Sequence, residues 1–243
     1  MKSNIRVSVA MAAYNGEKYL KEQLDSILKN LNEDDEIIVC DDGSTDKTLE
    51  ILKKYAAKDS RIKVYKNSKL GVKKNFEKAI EYARGNYIFL ADQDDIWEAN
   101  KVDKVLKAFN DNDCSLVIHD AVVVNENLKR INKSFFSLRK SKSGILKNIY
   151  KNSYIGCCMA FKSTIKKYIL PIPNNIEMHD QWIGILNEMY GKSFFLPEKL
   201  IKYRRHNANT SSMKHYKISK MIRNRAKFLK EMIRRIRYVK KVK

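Results

Sequence analysis

The chain has 243 residues, enough for one large α/β domain or two small ones, and its 44% hydrophobic content supports a substantial core. No run approaches the roughly 18 uninterrupted apolar residues of a membrane-spanning helix, and residues 1–6 lack the apolar region of a signal peptide, so a cytoplasmic protein is expected. The formal charge of +21 points to nucleic acid or an anionic membrane, but it is unevenly spread: residues 214–243 hold 13 Lys/Arg against one acid, Glu231.

Residues 5–11 are nearly continuous in apolar, β-branched character and run into Tyr14-Asn15-Gly16, which predicts a strand ending in a turn. Tyr19, Leu20, Leu24, Ile27, Leu28 and Leu31 recur at three and four, the mark of a helix with one buried face. Residues 36–40 read as a second strand, ending at Asp41-Asp42-Gly43-Ser44-Thr45-Asp46. Ser44 or Thr45 is expected to cap the next helix, which carries Leu49, Ile51, Leu52 and Tyr55. A third strand at 62–65 precedes a helical pattern of Phe76, Ala79, Ile80 and Ala83, stopped at Gly85, and a fourth strand spans 86–91. This alternation predicts βαβ units and a mostly parallel, doubly wound sheet over the first 120 residues.

Beyond residue 120 the pattern is mixed. Residues 116–118 and 121–124 read as separate strands, 155–161 as another, and 181–190 as a helix beginning near His179-Asp180. From about Tyr216, Ile218, Met221, Ile222, Leu229, Met232, Ile233 and Ile236 fall at helical spacing among Lys and Arg, predicting a basic amphipathic helix. With only eight Gly and three Pro, a flexible interdomain hinge is not expected. The four cysteines show no C-x-x-C spacing, which fits a reducing compartment; Cys157 and Cys158 read as small buried hydrophobes, and Met11, Met159 and Phe161 as core.

The chemistry concentrates where the apolar run Tyr87-Ile88-Phe89-Leu90 meets Asp92, Asp94 and Asp95. Acids beside a buried strand need a cation or a donor network, and hard divalent ions such as Mg²⁺ and Mn²⁺ prefer carboxylate oxygen and bridge to phosphate. Three polar clusters, at 12–16, 41–46 and 92–95, stand at predicted strand ends, where ligands of open α/β sheets bind. No G-x-G-x-x-G follows the first strand and no G-x-x-x-x-G-K-[ST] occurs, which argues against a dinucleotide oxidoreductase and a P-loop NTPase. An EF-hand is excluded because no Gly takes the sixth loop position after Asp92.

These residues resemble the family 2 glycosyltransferases, which have the GT-A fold. The resemblance runs from about Val7 to Ser211. It rests on Ala12-Ala13-Tyr14-Asn15-Gly16, Val39-Cys40-Asp41-Asp42-Gly43-Ser44-Thr45-Asp46, Gly71-Val72 through Asn75, Ala91-Asp92-Gln93-Asp94-Asp95-Ile96-Trp97, His179-Asp180-Gln181-Trp182 and Tyr203-Arg204-Arg205-His206-Asn207. The Asp-Gln-Asp-Asp-x-Trp and His-Asp-Gln-Trp forms are most similar to the rhamnosyltransferase-like branch, which builds bacterial cell-surface polysaccharides. The resemblance implies an α/β GT-A fold with a Rossmann-like, doubly wound mixed sheet. It implies a GT-A domain over 1–213, with a nucleotide-binding half at 1–120 and an acceptor-binding half at 121–213, followed by the basic amphipathic tail at 214–243. The implied reaction is inverting transfer of a sugar from a UDP- or dTDP-linked donor to a hydroxyl of a glycan or lipid-linked acceptor, with Mn²⁺ or Mg²⁺ as cofactor.

Several of the implied roles stand beside a plainer alternative. Asp42 reads the base N–H, with Tyr14 stacking on the ring, or else simply ends a strand. Ala12 and Asn15 join that pocket, Ala12 through its backbone only, since many relatives carry Thr or Ser there. Asp94 is the expected metal ligand, with Asp92 sharing its face and His206 completing the shell. Asp95 binds donor hydroxyls or caps the helix of Val102, Val105 and Leu106. Asp180 is the expected base, or a helix cap, with His179 orienting it or merely flanking it. Trp182 is an acceptor platform or core. Arg204 and Arg205 would hold phosphate. Asn75 stands where some relatives use Arg, so Lys73 or Lys74 is expected to supply the pyrophosphate contact. The tail lies on an anionic leaflet at the inner face of the plasma membrane or packs on the domain. Nucleic acid is not an expected partner, because acidic strand ends repel phosphate. A nucleotide-sugar binder without turnover is the alternative from another functional class.

Overall fold

The computed structural model describes residues 5–207, 209 and 218–242. The end of the resemblance at Ser211, the boundary at 213/214 and the expected helix start at Tyr216 lie outside the described residues. Four parallel strands, β1 (Val7–Ala13), β2 (Glu36–Asp41), β3 (Ile62–Lys66) and β4 (Tyr87–Asp92), lie in the order β3-β2-β1-β4. The crossovers contain α1 (Leu20–Leu28), α2 (Thr48–Lys58) and α3 (Val72–Tyr82). Every residue of β1 and β2 is buried, as a parallel sheet covered on both faces requires, and this is why their sequences read as apolar runs. Ala13 pairs with Asp41 and Ala12 with Asp92, so the ends of β1, β2 and β4 share one rim and carry the polar clusters there together.

The remaining strands make the sheet mixed: β5 (Ile96–Trp97), β6 (Leu116–Asn125), β7 (Arg130–Asn132), β8 (Met159–Lys162) and β9 (Ser193–Arg205). β8 runs antiparallel to both β4 and β6, β6 runs parallel to β9, and β5 closes the edge antiparallel to β9. The two strands expected between 116 and 124 are one, and the expected 120/121 division falls inside it. The polar pair His119-Asp120 misled the sequence pattern. It coincides with register shifts against β9, and the Asp120 carboxylate accepts from the backbone amides of Ala121 and Phe136, so the strand carries its acid internally. Residues 156–158 form a short 3₁₀ turn, and of the strand expected at 155–161 only residues 159–161 are β, in a strand that runs on to Lys162.

The described residues hold six further helices: α4 (Lys101–Asn112), α5 (Phe135–Arg139), α6 (Ile145–Tyr150), α7 (Lys166–Ile169), α8 (His179–Tyr190) and α9 (Ile218–Val242). Neither Ser44 nor Thr45 caps α2; Asp46 accepts from the Thr48 amide instead, while Ser44 Oγ accepts from Asn15 N. Asp95 does not cap α4, which starts after Asn100 in the left-handed region (φ 62°). Gly85 serves close packing: a Cβ there would lie 2.5 Å from Ser8 N of β1, and α3 has already ended at Ala83. Met11, Phe76, Phe89, Phe161 and Trp182 are fully buried side by side with four free, buried cysteines. Among the described residues, no helix is long and apolar enough to cross a membrane. One face of α9 packs on the domain, where Phe228 meets Trp182 edge-on and Arg235 donates to the carbonyls of Tyr168, Leu170 and Pro171.

Candidate active site

The rim opens into a cleft of about 1670 Å³ lined by Ala12, Tyr14, Asn15, Asp42, Asp92, Asp94, Asp180 and His206, among others. The turn after β1 needs Asn15 at φ 48°, a left-handed conformation that Asn tolerates. Asn15 ties the first two rim loops together: its amide donates to Ser44 Oγ (2.9 Å) and its Oδ1 accepts from Thr45 N (2.8 Å). Gln93 ties the first loop to the third, exchanging two 2.8 Å hydrogen bonds with the backbone of Tyr14. Asp42 lies in the cleft with both carboxylate oxygens accepting from the amides of Leu70 and Gly71, which leaves further lone pairs for a ligand N–H.

Four candidate ligand contacts are engaged inside the protein. Asn75, 1% exposed, donates to the carbonyls of Cys40 and Ala13 and accepts from Asn67, so its amide pins the ends of β1 and β2 although the residue borders the cleft. The Lys73 ammonium donates to the carbonyls of Asn174 and Ile176, and Lys74 to Glu77 and the carbonyl of Ile172. Neither lysine lines the cleft. Arg204, 3% exposed, is also turned inward: Nε donates to the Asp94 carbonyl (2.8 Å), the fork reaches the Glu126 carbonyl and Glu22, and the guanidinium lies 4.5 Å from the Tyr19 ring. Its geometry suits holding the acidic loop in place, because five fixed donors can satisfy several carbonyls at once.

The acids form two tiers. In the upper tier Asp94 Oδ2 meets His206 Nε2 at 2.7 Å and Asn209 Nδ2 at 3.1 Å. In the lower tier Asp92, Asp95 and Cys157 bring one ligand atom each within 4.8 Å of one another. Burial, then the charges of Asp94 and Asp180, push the Asp92 carboxyl up to about 7. Burial, then the charges of Asp94 and Asp92, raises Asp95 well above the usual range. Asp95 Oδ1 accepts from Arg204 N (2.9 Å), while Oδ2 is buried with no hydrogen-bond partner. Lys101 sits beneath, 1% exposed, with its ammonium 3.7 Å from the Trp97 ring centroid and donating to the Cys157 carbonyl; burial lowers it to about 8. Crowded carboxylates with an imidazole and an orphaned acid oxygen are a donor set that fits a hard divalent ion.

Asp180 faces this cluster across the cleft from the first turn of α8, two residues past the Met178 N-cap. Its Oδ1 accepts from Gln181 N (2.6 Å) and Asn152 Nδ2 (3.3 Å). Burial raises its carboxyl to about 6, against the lowering effect of these donors and of Arg139. His179 does not orient it. That ring stacks on Phe76 with centroids 4.3 Å apart, its Nε2 has no hydrogen-bond partner, and burial lowers it to about 4. Trp182, expected as an alternative sugar platform, is fully buried and donates from its indole to the Ile169 carbonyl (2.8 Å). At α8 spacing it falls on the core side while Asp180 falls on the cleft side, so it does not reach a ligand.

Residues 8–170, more than half of the chain, match the sequence profile of glycosyl transferase family 2. This chain belongs to that family. The glycosyltransferase is 28% identical over 236 residues to WfgD of Escherichia coli, a UDP-Glc:alpha-D-GlcNAc-diphosphoundecaprenol beta-1,3-glucosyltransferase, covering 96% of this chain and 90% of WfgD. Its fold is that of S. aureus TarS 1-349 in complex with UDP-GlcNAc, at TM-score 0.71 and 21% identity, covering 87% of this chain and 62% of that one. The Pyrobaculum calidifontis mannosyltransferase PcManGT, in complex with GDP-Man and Mn²⁺, shares the fold at TM-score 0.61 and 19% identity, over 79% of this chain and 55% of that one.

Several residues of the glycosyltransferase cleft carry no sequence signal. Asn152 lies in an irregular, polar stretch, and Arg139 ends the short helix α5, which no clear periodicity marks. Met221, Asn224, Arg225 and Phe228 of α9 also line the cleft, so the C-terminal helix is a wall of the site. Asn224, a neutral residue between two arginines, donates to Glu177 Oε2 (2.6 Å); its place on the inner face of the helix was the available clue.

Proposed function

We propose that this glycosyltransferase moves a sugar, with inversion, from a UDP- or dTDP-linked donor to a hydroxyl of a glycan or lipid-linked acceptor in cell-surface polysaccharide synthesis. The supporting observation is that Asp42, Asp94 and Asp180, from three separate parts of the sequence, border one cleft. Asp42 takes the pyrimidine N–H, with the half-exposed Tyr14 beside it as a stacking surface. Asp94 and His206, with Asp92, would hold a divalent ion, which supplies positive charge to the departing diphosphate. Arg204 keeps Asp94 in place from behind. Asp180 accepts the proton of the acceptor hydroxyl; the new C–O bond forms at the anomeric carbon as the bond to the diphosphate oxygen breaks. A carboxyl pushed up to about 6 is ionised at neutral pH yet more basic than an exposed Asp, which suits that task. The names of WfgD and of the TarS complex, with UDP-linked sugars in both, support the choice of donor class.

Thermal-shift titration with UDP-, dTDP- and GDP-sugars, each with and without Mn²⁺, tests the donor and the ion together. A pyrimidine donor is expected to stabilise the protein only with the ion present, and Asp94→Ala to abolish that dependence. Stabilisation by GDP-sugars alone, or an undiminished Mn²⁺ response in Asp94→Ala, would remove the assignment.

A further inference from the structure

Helix α9 has two apolar flanks, and the domain covers one. Its inner line holds buried Phe228 and Val239 with the half-buried Met221 and Met232. At 3.6 residues per turn, Ile218, Ile222, Leu229 and Ile233 fall on a second strip, roughly 100° around the helix from Phe228. That strip faces solvent, with Ile218 76% and Ile222 61% exposed. Arg223, Lys227, Lys230, Arg234 and Arg237, all exposed, continue around the helix on the side away from the domain. Across its 25 residues α9 carries ten Lys/Arg and the single acid Glu231.

A second element extends the strip. Arg225 lies between the inner line and the strip, and its guanidinium donates to the carbonyls of Ile149 and Tyr150 and sits 5.0 Å from the Tyr150 ring. This sets α6 against the flank of α9 that bears the exposed isoleucines. There α6 presents Leu146, 83% exposed, and Tyr150, 72% exposed. The surface borders the reaction cleft directly, since Tyr150 and Arg225 line both.

We propose that the joint face of α6 and α9 is a docking surface for an anionic lipid bilayer, holding the mouth of the cleft at the membrane. For the acceptor it rests on the function proposed above, because a lipid-linked acceptor is then delivered from the bilayer beside Asp180; the surface itself does not depend on it. Charge complementarity selects the occupant. An apolar strip bordered by cations buries its isoleucines among acyl chains and leaves its Lys/Arg at the anionic headgroups. A second copy of this chain would bring another strongly positive surface against the first. Nucleic acid would take the cations and leave the isoleucines without an apolar partner.

The test is co-sedimentation of the full chain with phosphatidylcholine vesicles, with and without phosphatidylglycerol. Binding is expected only to the anionic vesicles, weakening about tenfold or more at high salt. The double substitution Ile222→Ser and Ile233→Ser is expected to lower binding about tenfold. Both positions are exposed and outside the cleft, so thermal stabilisation by the donor, and transfer to a water-soluble acceptor, stay unchanged. Equal binding by the variant and the unaltered chain, or equal binding to neutral vesicles, overturns the proposal. So does a dimer in sedimentation velocity that the same substitutions dissociate, or labelled DNA whose retention they abolish. Vesicle binding is read without donor, so loss of donor binding would sink the proposed transfer and leave this result standing.

Discussion

Replacing Asp180 with Asn separates the chemistry of this residue from the energy of burying it. The side chain is 4% exposed, and burial raises its carboxyl from 3.8 to about 6. The sign follows from proton binding. Below about pH 3.8 both folded and unfolded forms are protonated and the group contributes nothing; between there and about 6 the folded state holds the extra proton; above 6 both are ionised and the folded state carries the full cost. A shift of about two pH units corresponds to about 3 kcal/mol. Asn is isosteric and its Oδ1 can still accept from Gln181 N and Asn152 Nδ2, so the variant is expected to lose the burial cost while keeping the local bonds. Transfer should fall by about 10²–10⁴-fold with donor binding retained. The variant should gain up to about 3 kcal/mol in urea melts at pH 8, and the gain should vanish near pH 4. Transfer within tenfold of the unaltered enzyme would take the base role from Asp180. An equal stability difference at pH 4 and pH 8 would refute the buried-carboxylate reasoning.

Three other outcomes follow from the geometry. Asn152→Ala removes a donor that stabilises ionised Asp180, so the acidic limb of the kcat/KM profile should move upward in pH; a downward move or none would contradict that contact. Arg204→Met should cost about 3 kcal/mol in urea denaturation, from the buried donors to the Asp94 and Glu126 carbonyls rather than from the exposed partner Glu22, and should weaken Mn²⁺ more than donor nucleotide. Gly85→Ala would place a Cβ 2.5 Å from the Ser8 backbone and should destabilise by about 3 kcal/mol without changing KM; a neutral effect on stability would mean that β1 yields easily there.

The parallel half was readable in advance because period and chemistry agree there. Runs such as residues 36–40 are buried on both faces, and turn residues mark their ends, so each element declares itself within a few residues. The acids at those ends were conspicuous for the same reason, and the family resemblance rested on them. Where an acid is satisfied inside the sheet the pattern fails: Asp120 looked like a strand break and is a bulge within β6.

Residue type and local order thus determined the four parallel strands β1 to β4, which acids stand at their ends and that α9 is amphipathic and basic. Only the tertiary structure decided which of these polar groups are available to a ligand. Lys73, Asn75, Arg204 and Trp182 have the chemistry of binding residues, but each satisfies its donors on backbone carbonyls far away in sequence, a choice set by distances that no local pattern encodes. The same holds for the cleft wall. Met221 and Phe228 line the same cleft as Asp180 because α9 packs against α6 and α8, and long-range packing of this kind is governed by which surfaces can exclude water together.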